Sequence, residues 1–152
     1  MPTLRSELDL AVHLAQQAGA AILAVRKAAR TGGASIGTTM KADESPVTKA
    51  DLASDAIIRA GLAPLVERGD VVVTEETWGG VGDVPDGRAW FVDPLDGTED
   101  FVAGRPDYVV QIGLCIGRQP ALGVLFEPET GVVWRAVVAD GLCERIAPAG
   151  IA

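Results

Sequence analysis

Two short stretches carry the side chains that could do chemistry. In Trp90-Phe-Val-Asp-Pro-Leu-Asp-Gly-Thr-Glu-Asp-Phe101, the carboxylates Asp93 and Asp96 flank a tight bend, and Gly97 and Thr98 follow at once. Upstream, the apolar run Val71-Val-Val-Thr-Glu-Glu76 also ends in acids. Both read as strands whose ends carry carboxylates, and open sheets tend to place their sites at strand ends. Glu75, Asp93 and Asp96 would be three oxygen ligands with no neighbouring lysine in sequence to neutralise them. Clustered like charges repel unless a proton or a cation intervenes. All-oxygen ligation suits Mg²⁺, Mn²⁺ or Ca²⁺ rather than zinc. Gly97 permits close backbone approach, and Thr98 can cap the short helix that follows. The plainer reading is an Asx-turn and an N-cap with no chemistry, since Asp and Gly are ordinary turn residues.

The elements that must hold these groups are legible from periodicity. Leu4, Leu8, Ala11, Ala15, Ala18, Ile22 and Val25 recur at helical spacing and predict a helix from Leu4 to Arg30. Thr3 or Ser6 is expected to cap it, and Gly32-Gly33 to end it. His13, the only histidine, is left out of the site as a surface or packing residue. Residues 31–39 read as a mobile loop that continues to Pro46. Thr48-Lys-Ala-Asp51 opens a second helix with a capping-box spacing. Leu52, Ala56, Ile57 and Ala60 are expected to form its buried stripe, and Pro64 to break it or start a short second piece. Asp70 to Glu75 is a strand, and the glycine-rich run from Trp78 to Gly87 a loop. Pro94 is expected to end the ladder of the central strand. From Asp107 onward, apolar residues alternate and short turns recur, which predicts an antiparallel meander. Helices first and strands afterwards give an α+β fold, two N-terminal helices packed on a mainly antiparallel sheet.

Asp93-Pro-Leu-Asp-Gly-Thr98, preceded by Glu75-Glu76 and by Lys41-Ala-Asp-Glu-Ser-Pro-Val-Thr-Lys-Ala-Asp51, resembles the inositol monophosphatase superfamily, which are Mg²⁺-dependent phosphomonoesterases. The likeness is greatest to the branch that removes the 3′-phosphate from adenosine 3′,5′-bisphosphate. Histidinol-phosphate phosphatases share much of the pattern. Gly104-Arg-Pro-Asp-Tyr-Val-Val-Gln-Ile-Gly-Leu114 looks closer to the inositol phosphatase branch. The resemblance implies that Glu75, Asp93 and the Leu95 carbonyl hold one Mg²⁺, and that Asp93 and Asp96 hold a second. It implies that Asp51 and Thr98 are catalytic and orient the attacking water. Gly97, Thr98 and Lys41 would bind the substrate phosphate, with Lys41 on a lid. It covers only the family's first half: residues 1–146 as an N-terminal domain and 147–152 as a tail. The family's second half carries a Trp-Asp metal ligand, and no such pair is found here, since Trp78, Trp90 and Trp134 precede Gly, Phe and Arg; the likeness is therefore expected to be to the first half alone. A metal-binding half-domain that is inactive until a partner chain completes it is the alternative.

Composition narrows the partners. At 152 residues and 48% hydrophobic content, the chain can bury a core and is not disordered. Lys and Arg number 13 against 21 acids, a net −8, which argues against binding a nucleic-acid polymer through a basic patch. A small phosphorylated metabolite remains compatible if metal ions supply positive charge locally. Cys115 and Cys143, the two cysteines, have no metal-ligand spacing and read as buried or neutral thiols, not a disulfide framework. No membrane span and no secretory signal are read from the N-terminus, so a cytoplasmic location is expected. A sheet face left uncovered by the missing half predicts a homo-oligomer.

Overall fold

The computed structural model describes residues 3–32, 35–40, 46–77 and 84–149. Helix α1 (Arg5–Thr31) and helix α2 (Lys49–Val66) pack on each other. Together they cover one face of a six-stranded sheet of β3 (Val71–Thr74), β4 (Arg88–Asp96), β5 (Val109–Ile116), β6 (Gln119–Glu127), β7 (Val132–Val137) and β8 (Leu142–Ile146). The strands lie in sequence order. β3 and β4 run parallel, and every later neighbour is antiparallel. The fold is α+β, as the order of elements predicts.

α1 buries Leu8, Ala11, Ala15, Ala18 and Ile22 of the predicted stripe, whose Leu4 and Val25 are half-buried, together with Leu14, Gly19 and Arg26. Gly19 is required by close approach, because a Cβ there would lie 2.3 Å from the Phe126 ring. Neither Thr3 nor Ser6 caps the helix. Leu4 stands at the N-cap without a side-chain bond, and the Ser6 hydroxyl donates to Glu7 instead. Gly32 ends the helix, its N–H donating to Ala28. By length and composition α1 could cross a membrane, contrary to the sequence expectation, but its apolar stripe is buried on the sheet as in a core helix.

α2 corrects a second expectation. Its buried positions are Ala50, Ser54, Ile58 and Leu62, a strict four-residue spacing, whereas Leu52 is 64% exposed. A serine occupies the centre of the apolar stripe because its hydroxyl reaches a carbonyl of β4. Pro64 does not break the helix, which continues to Val66. The region read as a loop contains a two-residue ladder, β1 (Thr39–Met40) against β2 (Pro46–Val47). Residues 33–34, 41–45 and 78–83 lie outside the described residues.

Candidate active site

The site is built where β3 and β4, side by side and parallel, reach their C-terminal ends. β3 stops at Thr74, and Glu75 opens a short 3₁₀ turn, Glu75–Thr77. That turn is pinned by the Thr77 hydroxyl, which accepts from the Thr74 N–H at 2.8 Å. Because the two strands point the same way, Glu75 and Asp93 emerge at one edge.

β4 does not end at Pro94 as expected. The ladder continues to Asp96, with Asp93 opposite Gln111 and Asp96 opposite Val109. Three steps on β4 therefore face two on β5, so a bulge holds Pro94 and Leu95, where a missing N–H costs no ladder bond. The bulge is tied down from inside and outside. The Ser54 hydroxyl donates to the Pro94 carbonyl at 2.7 Å, and the Leu95 N–H donates to Asp93 Oδ1 at 3.2 Å. Gly97 follows at φ +91°, in the left-handed region. A Cβ there would meet the Asp107 carbonyl at 2.6 Å, so the position admits glycine for two reasons.

Gly97, not Thr98, is the N-cap of the short helix α3 (Thr98–Val102). The Thr98 hydroxyl faces inward instead, 2.9 Å from Asp51 Oδ1 and 3.1 Å from the Leu95 carbonyl. Asp51 serves two elements at once. Its Oδ2 accepts from the Thr48 N–H at 2.8 Å and from the Thr48 hydroxyl at 2.6 Å, closing the capping box of α2. Its Oδ1 is left for Thr98. The cap thus fixes the carboxylate that fixes the threonine.

A cleft of about 270 Å³ between α2 and the strand ends is lined by Asp51, Glu75, Asp93, Leu95 and Thr98, with Asp55 and Arg59 further along α2. Five of the residues singled out from sequence therefore share one cavity. Asp96 and Gly97 do not line it. Asp96 is exposed beyond the bulge, where Gln111 Nε2 donates to it at 2.5 Å. Lys41 lies outside the described residues. Sequence reasoning missed Ser54, Gln111 and Arg59. Ser54 could have been found as the polar residue at the helical spacing Ala50, Ile58 and Leu62.

The acids act on one another. Burial, then the charges of Asp96, Glu75 and Asp51, push the Asp93 carboxyl up to about 6, against one opposing bond from the Leu95 N–H. An acid raised by neighbouring acids is a group that a cation would return to its ionised form. The donors are all oxygen, which matches a hard divalent ion. Among the described residues, however, no three acidic, histidine or cysteine side chains converge closely enough to close a metal site. The chemistry of the donors fits such an ion, and the side chains as placed form an open set.

A sequence model of the inositol monophosphatase family matches residues 4–145. The chain belongs to this family. It is 36% identical over 129 residues to the 3′(2′),5′-bisphosphate nucleotidase CysQ of Escherichia coli K12, covering 85% of this chain and 51% of that protein. The crystal structure of CysQ from Bacteroides thetaiotaomicron, a bacterial member of the inositol monophosphatase family, superposes with a TM-score of 0.72 at 28% identity, covering 94% of this chain and 49% of that one. The extragenic suppressor protein suhB of Bartonella henselae gives a TM-score of 0.75 at 21% identity, over 95% of this chain and 52% of that one. This second likeness speaks for the fold alone. The chain spans about half the length of the curated relatives it matches. The first-half resemblance read from the motifs agrees with that coverage.

Proposed function

We propose that this chain carries the metal-holding and water-orienting part of a Mg²⁺-dependent phosphomonoesterase. Its substrate class would be a small phosphorylated metabolite such as adenosine 3′,5′-bisphosphate or an inositol monophosphate. The observation that carries the reading is the Thr98 hydroxyl 2.9 Å from Asp51, in the same cleft as Glu75 and Asp93. Membership of the family and the likeness to a bisphosphate nucleotidase support the substrate class.

Glu75, Asp93, the Leu95 carbonyl and Asp96 would hold the ions. Mg²⁺ held by these residues would supply Lewis acidity toward a phosphoryl group and would lower the pKa of a water. The protein's own part is orientation. Asp51, already an acceptor for Thr48, also accepts from Thr98, which leaves the threonine oxygen's lone pairs for a water proton. A water so held would attack phosphorus directly, its P–O bond forming as the ester P–O bond breaks and the alcohol leaves, with no covalent enzyme intermediate. Gly97 and Thr98 backbone amides, with Lys41, are assigned to the substrate phosphate.

A second reading keeps the metal site and removes the turnover: an inactive half-domain that needs groups from a partner chain. The open ligand set among the described residues favours it. One experiment separates the two. Phosphate release is measured with and without Mg²⁺, on adenosine 3′,5′-bisphosphate and on inositol 1-phosphate, for the parent and Asp93→Asn. Mg²⁺-dependent release that Asp93→Asn abolishes supports the phosphatase. No release, with a Mg²⁺-induced rise in Tm that Asp93→Asn abolishes, supports the half-domain. Hydrolysis indifferent to Mg²⁺ and to Asp93 would overturn both.

A further inference from the structure

Arg26 lies on the inner face of α1, only 6% exposed, and no role in the proposed chemistry accounts for it. Both terminal nitrogens of its guanidinium are engaged. Nη2 donates to the Phe101 carbonyl at 2.8 Å, both terminal nitrogens reach the Arg105 carbonyl at 3.2 Å, and Nη1 meets Glu129 Oε1 at 2.6 Å. It also lies against two rings, 4.6 Å from the centroid of Phe101 and 4.8 Å from that of Tyr108. Those rings meet edge to face at 5.3 Å, and the Tyr108 hydroxyl donates to Glu129 at 2.6 Å. That bond, first among the causes, holds the Glu129 carboxyl below the usual range, so Arg26 keeps a charged partner.

The partners share one location. Phe101 is in the last turn of α3, Arg105 lies just after it, and Tyr108 adjoins the backbone that Gly97 rests on. α3 has five residues, too few to hold its own shape by helical bonds alone. It is therefore held at two ends, by Thr98 on Asp51 and by Arg26 on the Phe101 carbonyl.

We propose that Arg26 is a positioning residue for Thr98: it anchors the far end of α3 and the Tyr108 segment behind Gly97, and so sets the reach of the Thr98 hydroxyl to Asp51. Only a planar guanidinium can serve three acceptors in a fork while lying against two rings, so lysine is not an equivalent. The catalytic consequence rests on the phosphatase reading, whereas the geometric claim does not.

The test is a double-mutant cycle on the chain. Thr98→Val, which keeps the shape and removes the hydroxyl, should lower Tm by about 2–4 °C in the parent. In an Arg26→Lys background the same change should cost less than half as much, because the hydroxyl no longer meets Asp51. Tyr108→Phe, which keeps the ring and loses only the bond to Glu129, is the milder background and should shrink the cost in the same direction. Arg135→Lys, on β7 and paired with Glu144, is the remote control and should leave the cost unchanged. The Thr98 methyl resonance of the threonine-labelled chain should move in Arg26→Lys and in Tyr108→Phe, while that of Thr74 stays. Additive costs in both backgrounds, or an unmoved Thr98 methyl, would overturn the proposal. Neither readout uses turnover, so a failed phosphatase assay would leave it standing.

Discussion

Replacing Asp93 by asparagine should stabilise this protein at neutral pH when no divalent ion is present. Asp93 is partly buried among acids, and its carboxyl titrates at about 6 where an ordinary aspartate titrates at 3.8. The folded state therefore binds this proton more tightly than the unfolded state does. The stabilisation is fully present below about pH 4 and is lost as the pH rises through about 6. At roughly 1.4 kcal/mol for each pH unit, the displacement corresponds to about 3 kcal/mol as an upper bound. The carboxylate is partly open to solvent, and screening brings the expected value down to on the order of 1–2 kcal/mol. Asparagine keeps an oxygen for the Leu95 N–H and carries no charge at any pH. Urea denaturation of both proteins at about pH 4.5 and about pH 7.5, with chelator, measures the difference. Asp93→Asn should be the more stable at the higher pH, with the gap mostly gone at the lower. Saturating Mg²⁺ should then reverse the order, because binding to the folded state stabilises only the parent. Stability curves that run parallel across this range would refute the electrostatic argument. A gap that Mg²⁺ leaves untouched would refute the assignment of Asp93 as a ligand.

Thr98→Ala should lower turnover of an active form by more than it weakens Mg²⁺ binding, and Asp51→Asn should act on the same step, so that kinetics of the pair are non-additive. Ser54→Ala leaves the Pro94 carbonyl without its buried donor and should cost about 1–2 kcal/mol in urea denaturation. Gly97→Ala must both adopt a left-handed backbone and displace the Asp107 carbonyl, and should cost at least about 1–3 kcal/mol, read as a lower Tm.

The candidate site was legible where its side chains are local in sequence. Asp93, Leu95 and Thr98 of the cleft sit in one short run and Glu75 ends an obvious apolar one, whereas Asp96 and Gly97 of the same run do not line the cleft. What escaped was long-range. No local pattern says that β3 runs parallel to β4, although that pairing is what puts Glu75 beside Asp93. The buried stripe of α2 was misplaced because Ser54 looks like a surface residue until Pro94, 40 positions on, supplies its acceptor. Arg26 follows Ile22 at helical spacing and still reads as exposed, since nothing in its neighbourhood reveals two rings and three acceptors. Pro94 was read as a terminator because a bulge cannot be seen before its partner strand is known. Polar residues in apolar surroundings are decided by their distant partners, and these are what a single sequence hides.

The strands β4 to β8 are joined to sequence neighbours, whereas α2 reaches the site through bonds that span 40 and 47 residues. Contacts of that range close late in folding, after the entropy of the intervening loop has been overcome. Their loss breaks no ladder bond of the meander, so they are expected to open before it does. A transient lift of α2 would take Asp51 from Thr98 and Ser54 from the Pro94 bulge in one motion. Amide protons in α2 should accordingly exchange with solvent sooner than those of β5 and β6. A ligand that bridges Asp51, Thr98 and Asp93 would slow that exchange, so occupancy of the cleft becomes readable as the lifetime of the helix that forms one of its walls.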